Sequence, residues 1–154
     1  MDIKELKSRK TFDNQKIQNG YTQFEELLAL LQKRSLGEKS IQCINSEIDT
    51  INSIRVSNNE LRKQVRKSQA KMLLVLKKED EIVPKNHYRN LWMALGMTVF
   101  GVPLGVTFGA SIENMGFIGI GMPIGMMIGI ALGTKKDKDA ASAGKQLTIV
   151  LKHY

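Results

Sequence analysis

The stretch "GVPLGVTFG", residues 101–109, returns twenty residues later as "GMPIGMMIG", residues 121–129. Each copy carries a glycine at every fourth position and a proline two residues after the first glycine. Helical residues four apart lie on one face, so each copy predicts a helix with a groove along one side. In lipid, where burial from water does not drive helices together, such grooves let two backbones pack closely.

Both copies lie in an apolar block, residues 91–134, in which Glu113 is the one charged residue and all 23 basic residues are excluded. A helix needs about 20 mostly apolar residues to cross a bilayer. Residues 91–111 and 116–134 each supply roughly such a length. The sequence therefore predicts an all-α chain with a two-helix transmembrane hairpin over residues 85–134, turning at residues 112–115.

The glycines of the two copies are the predicted helix-packing residues. They are Gly101, Gly105 and Gly109 in the first span and Gly121, Gly125, Gly129 and Gly133 in the second. Folding about Glu113 sets three pairs at equal depth: Gly101 with Gly125, Gly105 with Gly121, and Pro103 with Pro123. Each proline removes a backbone donor and predicts a kink. Two alternatives fit this pattern. The kinks could nest and keep the helices packed, or they could be the hinges of a gate.

The charges that flank the spans predict their orientation. Lys85 and Arg89 precede the first span, whereas Lys135, Lys136 and Lys138 follow the second. The connecting turn has no basic residue, so the positive-inside rule places both termini in the cytoplasm. The first fifteen residues lack the apolar core of a signal peptide, which agrees with that placement.

Residues 1–84 carry sixteen basic and twelve acidic residues and predict a cytoplasmic helical region. Residues 1–20 are polar and predict a weak helix or a mobile arm. Apolar residues at helical spacing follow in three runs, which are Phe24, Leu27, Leu28 and Leu31, then Ile41, Ile44, Ile48 and Ile51, then Leu61, Val65 and Met72. The run Ile41–Ile51 resembles a coiled-coil seam. Such a seam could pack within a helical hairpin, within an intermolecular bundle or against a cytoplasmic partner. Residues 135–154 predict a polar cytoplasmic tail.

A basic stretch, "LRKQVRKSQAKMLLVLKK" at residues 61–78, has seven basic residues and no acidic one. Its basic face consists of Arg62, Lys63, Arg66, Lys67 and Lys71. A solvated helix face, contact with anionic membrane lipid and nucleic-acid binding compete as its use. Nucleic acid is the least favoured of the three, because the stretch has no aromatic residue for base stacking.

Residues that could perform catalysis are sparse. The chain has one cysteine, Cys43, and two histidines, His87 and His153. It has neither paired metal ligands nor a glycine-rich phosphate loop ending in Gly-Lys-Ser/Thr. The sequence therefore predicts no enzyme, no cofactor and no metal site.

The segment "LWMALGMTVFGVPLGVTFGASIENMGFIGIGMPIGMMIGIALGTKKDK", followed by "AGKQL", resembles the glycine-zipper small membrane proteins of bacteria. The resemblance covers about fifty residues and implies a self-associating integral membrane protein without established enzymatic chemistry. We expect this protein in the bacterial inner membrane. Two functions follow as hypotheses. One is a scaffold that presents its cytoplasmic helices to a partner, and the other is an oligomeric pore or membrane-permeabilising protein.

Overall fold

The computed structural model describes residues 2–7, 15–54, 58–114, 116 and 118–151. Their regular structure is helical with no strand among them, which confirms the predicted all-α class. The helices are α1 (Gln15–Gln32), α2 (Glu38–Ser53), α3 (Asn58–Glu79), α4 (His87–Ser111) and α5 (Ile118–Ser142). Helix α4 is continuous but contains a π-helical turn at Gly96–Gly101.

The chain divides into two compact units. The first comprises Met1–Pro84 together with Leu147–Tyr154 and contains α1, α2 and α3. The second is Lys85–Gln146 and contains α4 and α5.

The segment predicted as a polar tail, residues 135–154, is shared between the two units. Its first part continues α5 as far as Ser142. Farther on, Leu147 and Leu151 are buried in the apolar core of the first unit. The Leu147 N–H donates to the Val83 carbonyl at 2.8 Å. The two leucines explain this return. Burying an apolar side chain stabilises the folded state, and a solvated tail would lose that stabilisation.

The core of the first unit forms because α3 packs against both α1 and α2. Its buried apolar residues are Ile17, Tyr21, Phe24, Leu27, Leu28, Leu31, Ile44, Ile48, Ile51, Leu61, Val65, Met72, Leu73, Leu76 and Ile82. The predicted apolar runs thus supply most of this core. Ile44, Ile48 and Ile51 are fully buried by the chain's own residues. Three of the four residues of the seam Ile41–Ile51 therefore belong to the core of this unit.

Residues 2–7, expected as a weak helix or a mobile arm, form an extended segment held along α2. Two asparagines, seven residues apart on α2, each accept a backbone N–H and donate to a backbone carbonyl of this segment. Asn45 accepts the Lys4 N–H at 2.8 Å and donates to the Asp2 carbonyl at 3.1 Å. Asn52 accepts the Lys7 N–H at 2.9 Å and donates to the Glu5 carbonyl at 3.2 Å. The paired amides satisfy an extended backbone that has no strand beside it in the described residues.

The start of α2 is capped by a carboxylate from the end of α3. Gly37 precedes α2 and makes no side-chain cap of its own. The Asp80 carboxylate accepts the Gly37 N–H at 2.8 Å and also accepts the Ser40 hydroxyl. Nearby, Lys39 and Glu79 form an ion pair at 3.2 Å. Glu79 and Asp80, in the acidic run at residues 79–81, thus tie α2 to the end of α3.

A buried carboxylate joins α2 to α3 farther along. Glu47 accepts the Ser68 hydroxyl at 2.6 Å and the Lys71 ammonium at 2.6 Å. Burial acts to raise the pKa of Glu47, but the hydrogen bonds from Lys71 and Ser68 and the nearby positive charges hold that pKa below its usual value. The same hydrogen bond and the charge of Glu47 raise the pKa of Lys71.

The lowered pKa of Glu47 makes the stability of the protein depend on pH. The folded state favours the ionised carboxylate, so its contribution is present above the unfolded-state pKa of about 4.3 and is lost as the pH falls through the folded value. At neutral pH we expect Glu47→Gln to lower the free energy of unfolding by about 1 to 2 kcal/mol. That deficit should shrink as the pH is lowered to about 3.

Chemical denaturation monitored by circular dichroism at a series of pH values measures this effect. Glu25→Gln removes one charge from an exposed position of α1 and is the matched control. At neutral pH it should change the free energy of unfolding by less than about 0.5 kcal/mol. A deficit for Glu47→Gln that stays constant over the acidic range would contradict the assignment.

Candidate functional site

The candidate site is the interface between α4 and α5, where backbone lies against backbone. A Cβ atom added to Gly125 would lie 2.5 Å from the Gly101 nitrogen, and one added to Gly121 would lie 2.7 Å from the Gly105 Cα. Both distances are shorter than real side chains show, so no residue larger than glycine fits without displacing a helix. These are the glycine pairs that the sequence set at equal depth.

The close contact continues along α5 towards its charged end. A Cβ on Gly129 would lie 2.8 Å from the carbonyl carbon of Trp92, and one on Gly133 would lie 2.6 Å from the Cα of Arg89. Contact partners therefore move backwards along α4 as the chain moves forwards along α5, so the two helices run antiparallel. Gly109, the remaining predicted packing residue, is buried.

Sequence reasoning missed one glycine of this interface, Gly96. A Cβ there would lie 2.8 Å from the Cα of Gly129 and would also collide with the Gly125 carbonyl. Gly96 precedes Gly101 by five residues, and an unbroken α-helix would turn it away from that face. The π-helical turn at Gly96–Gly101 contains one extra residue per turn and keeps both glycines against α5.

The signal that could have located this turn is a glycine five residues before a glycine-proline pattern. The Val102 N–H donates to the Met97 carbonyl, five residues back, just before Pro103. Pro103 has no N–H, so it weakens the regular ladder at this point and favours a wider turn. Pro123 lies inside α5, and both prolines are exposed, on the side away from the glycine contacts.

The outer surface of α4 and α5 is apolar. Exposed large apolar side chains on the described part of these helices are Leu91, Leu95, Val99, Phe100, Val102, Val106, Phe108, Ile120, Met122, Met127, Ile128 and Leu132. Met127, at 63 % exposure, is the most exposed of them. The unit is thus arranged with glycine inside and bulky apolar residues outside.

The hydroxyl groups of α4 bond to carbonyls of their own helix. Thr98 shares its hydroxyl hydrogen between the Ala94 and Leu95 carbonyls, at 3.2 Å each. Thr107 donates to the Pro103 carbonyl at 2.9 Å. Internal bonds of this kind leave the hydroxyl donors satisfied without water, as an apolar environment demands.

α4 is the helix that is long and apolar enough to cross a membrane, by length and composition, among the residues that the structure describes. The predicted second span, 116–134, includes Phe117, which lies outside those residues. The predicted turn at 112–115 includes Met115, which also lies outside them. In its described part Glu113 adopts a left-handed backbone with φ of 55°, and the Asn114 N–H closes the end of α4 on the Gly109 carbonyl at 2.9 Å.

The charged end of the interface is held by Asp137, which belongs to α5 and is 7 % exposed. Its carboxylate accepts the backbone N–H groups of Tyr88 at 3.2 Å and Arg89 at 2.9 Å, in the first turn of α4. Asn86, the residue before α4, makes no side-chain cap itself. A negative charge at a helix N-terminus satisfies free donors and complements the helix dipole.

Two aromatic contacts lie at the same end. The Lys136 ammonium sits 5.6 Å from the centroid of the Trp92 ring, within range of a cation–π interaction. The rings of His87 and Tyr88 meet edge to face with centroids 5.2 Å apart. Aromatic side chains beside lysine and arginine are typical of a membrane–water boundary.

The five residues predicted to contact lipid have different surroundings in the structure. Lys71 is paired with Glu47, so its charge is already opposed. Lys63 and Lys67 are exposed. Arg62 and Arg66 line a groove between α1 and α3.

The described residues bring together no group of three His, Cys, Asp or Glu side chains that could hold a metal ion. Cys43 is a free thiol in the first unit. Burial raises its pKa and outweighs the opposing charge of Lys71, so the thiol stays protonated and weakly nucleophilic.

The glycine interface makes a testable prediction at Gly125. Replacing it by Ala should lower the free energy of unfolding by about 1 to 3 kcal/mol, because the new methyl group meets the backbone of α4. Gly119→Ala is the matched control, since a Cβ there would meet no atom within 4 Å. It should instead stabilise α5 by about 0.5 to 1 kcal/mol. Denaturant titration of the full chain in mild detergent measures both, and equal effects would contradict the interface.

The cap from Asp137 makes a second prediction. Asp137→Ala should cost about 1 to 2 kcal/mol of stability by leaving two N–H groups of α4 without their partner. Asp139→Ala removes an exposed carboxylate from the same helix and should change the stability by less than about 0.5 kcal/mol. The same titration compares them, and hydrogen exchange at Tyr88 and Arg89 should speed up in the first variant alone. Unchanged exchange would argue against the cap.

No family model, no curated protein and no solved structure matches this chain. The resemblance to glycine-zipper membrane proteins therefore stays a prediction from the sequence.

Proposed function

We propose that this chain is an integral membrane interaction protein of the bacterial inner membrane. In this proposal α4 and α5 form a two-span hairpin with both termini in the cytoplasm, and the hairpin anchors the first unit as a scaffold. The observation that carries the proposal is the reversed arrangement of α4 and α5, with glycine inside and bulky apolar side chains outside.

Water and lipid make opposite demands on such a pair of helices. In water, side chains such as Phe108 and Met127 would be expected to face the interior. Their exposure on both helices produces an apolar surface of the kind that marks contact with lipid or protein. Lipid covers such a surface without a complementary partner, and the internally bonded hydroxyls of α4 suit that environment.

The charged end of the pair supports the proposed orientation. Asp137, Lys136 and Trp92 gather where α4 begins and α5 ends. Lys85 and Lys135 add further positive charge on the same side of the apolar surface. By the positive-inside rule this end faces the cytoplasm, as do the segments that precede α4 and follow α5.

Self-association, which the resemblance implies, would use a different surface from the one predicted. The faces of Gly121 and Gly125 are already occupied by α4 of the same chain. We therefore place contact between copies on the outer apolar surface, where lipid and a second copy compete. A cytoplasmic partner would meet the exposed faces of the first unit rather than the buried side chains of Ile44, Ile48 and Ile51.

The scaffold is favoured over the pore for the same reason. A pore would need a face of each hairpin that lines a channel, and the glycine faces are closed against each other. α4 also carries no ionisable group between Arg89 and Glu113 that would mark an ion path. Contact of Lys63 and Lys67 with anionic lipid remains compatible with a scaffold that lies close to the membrane surface.

The proposal predicts where two engineered cysteines will react. In a Cys43→Ser background, Glu113→Cys should be labelled by a membrane-impermeant thiol reagent on intact bacterial spheroplasts. Asp139→Cys should be labelled only after lysis, because the positive-inside rule keeps the end of α5 in the cytoplasm. Alkaline extraction of the same membranes should leave both variants in the pellet.

The alternatives give different patterns. Labelling of both cysteines on intact spheroplasts would mean that α4 alone spans the membrane. Labelling of neither, together with release at alkaline pH, would mean that no helix crosses it. Either pattern overturns the proposed two-span anchor.

A further inference from the structure

A groove with a volume of about 480 Å³ lies between α1 and α3 in the first unit. We call it the α1–α3 groove. It is lined by Lys16, Ile17, Asn19, Gly20 and Gln23 of α1 and by Arg62, Val65, Arg66 and Gln69 of α3. The lining residues recur every three to four positions on each helix, so one face of each helix contributes them.

Gln69 is the unusual member of this lining. It is 3 % exposed, yet its amide nitrogen Nε2 finds no hydrogen-bond partner among the residues that the structure describes. Buried donors are nearly always paired, and an unpaired one destabilises the fold. A donor kept without an acceptor at the wall of a groove is explained if a ligand supplies the acceptor.

The charges of the α1–α3 groove specify the sign of that ligand. Arg62 and Arg66 lie one turn apart on α3, and Lys16 adds a positive charge from α1. No acidic side chain is among the lining residues of the described chain. An acceptor-rich anion would satisfy the Gln69 amide and oppose the arginine charges at once.

We propose that the α1–α3 groove binds a phosphoryl group. A phosphoryl group offers three or four oxygens, enough to engage two guanidinium groups and an amide together, whereas a carboxylate offers two. The groove is larger than a phosphate ion, and Ile17 and Val65 give it an apolar wall for an attached organic group. On the α1 side, a Cβ added to Gly20 would meet nothing within 4 Å, so this wall is open.

This inference does not rest on the proposed membrane anchor. The groove lies wholly within the first unit. The phosphoryl group could belong to a soluble phosphorylated compound or to a lipid headgroup, and the experiment below separates these sources.

The test uses the full-length chain in an uncharged detergent and a phosphate-free buffer of constant ionic strength. Inorganic phosphate is titrated by calorimetry into the wild type, Arg66→Ala and Lys67→Ala. The two variants each lose one positive charge, and the two positions are adjacent and exposed. Arg66 lines the groove, whereas Lys67 does not. Arg66→Ala should weaken phosphate binding by about tenfold or more, and Lys67→Ala by about twofold or less.

Gln69→Met gives an independent readout, because it replaces the buried amide by an apolar side chain of similar size. It should weaken phosphate binding by about tenfold while raising the thermal midpoint of the free protein, since the unpaired donor is gone. If the Gln69 amide instead has a hydrogen-bond partner within the protein, Gln69→Met should lower the thermal midpoint and leave phosphate binding unchanged.

Two further probes identify the source and the chemistry. Tighter binding of glycerophosphoglycerol, the water-soluble headgroup of phosphatidylglycerol, than of inorganic phosphate would assign the groove to a lipid headgroup. Tighter binding of inorganic phosphate would assign it to a soluble phosphate or phosphate monoester. Absent phosphate binding, equal losses in Arg66→Ala and Lys67→Ala, or acetate binding as tightly as phosphate would each overturn the proposal.

Discussion

Backbone-to-backbone contact between α4 and α5 is the constraint on which the second unit depends. With Gly101 and Gly105 facing Gly125 and Gly121, the helices approach until no Cβ fits between them. Dispersion contacts over such a surface are individually small but numerous, and they operate equally well in lipid. The bulky side chains are left on the outside as a consequence, because the inner faces have no room for them.

Preserving this contact along the whole of α4 requires a change of helical pitch. Gly96 stands five residues before Gly101, and the π-helical turn between them restores Gly96 to the inner face. The turn ends next to Pro103, where the regular hydrogen-bond ladder is weakened anyway. The π-helical turn thus places the proline and the glycine spacing in one local arrangement.

Each unit also uses an aspartate, within one helix or directly after it, to cap the start of another. Asp80 caps α2 in the first unit, and Asp137 caps α4 in the second. Neither capped helix makes a side-chain cap of its own at that point. The two carboxylates therefore couple the formation of one helix to the correct docking of its neighbour, which favours a single arrangement over alternatives.

The sequence by itself determined the helical class, most of the apolar core and the glycines that face each other. Periodic spacing decides which residues share a helix face, and the single charge at Glu113 marks the point about which the two copies fold. Only the tertiary structure decided the place of Gly96, the extended course of residues 2–7, the return of Leu147 to the first unit and the unpaired amide of Gln69. Each of these depends on groups that are distant in the chain or on a departure from regular helical pitch. Local periodicity carries no information about either, since it assumes an unbroken helix and compares residues only with their near neighbours.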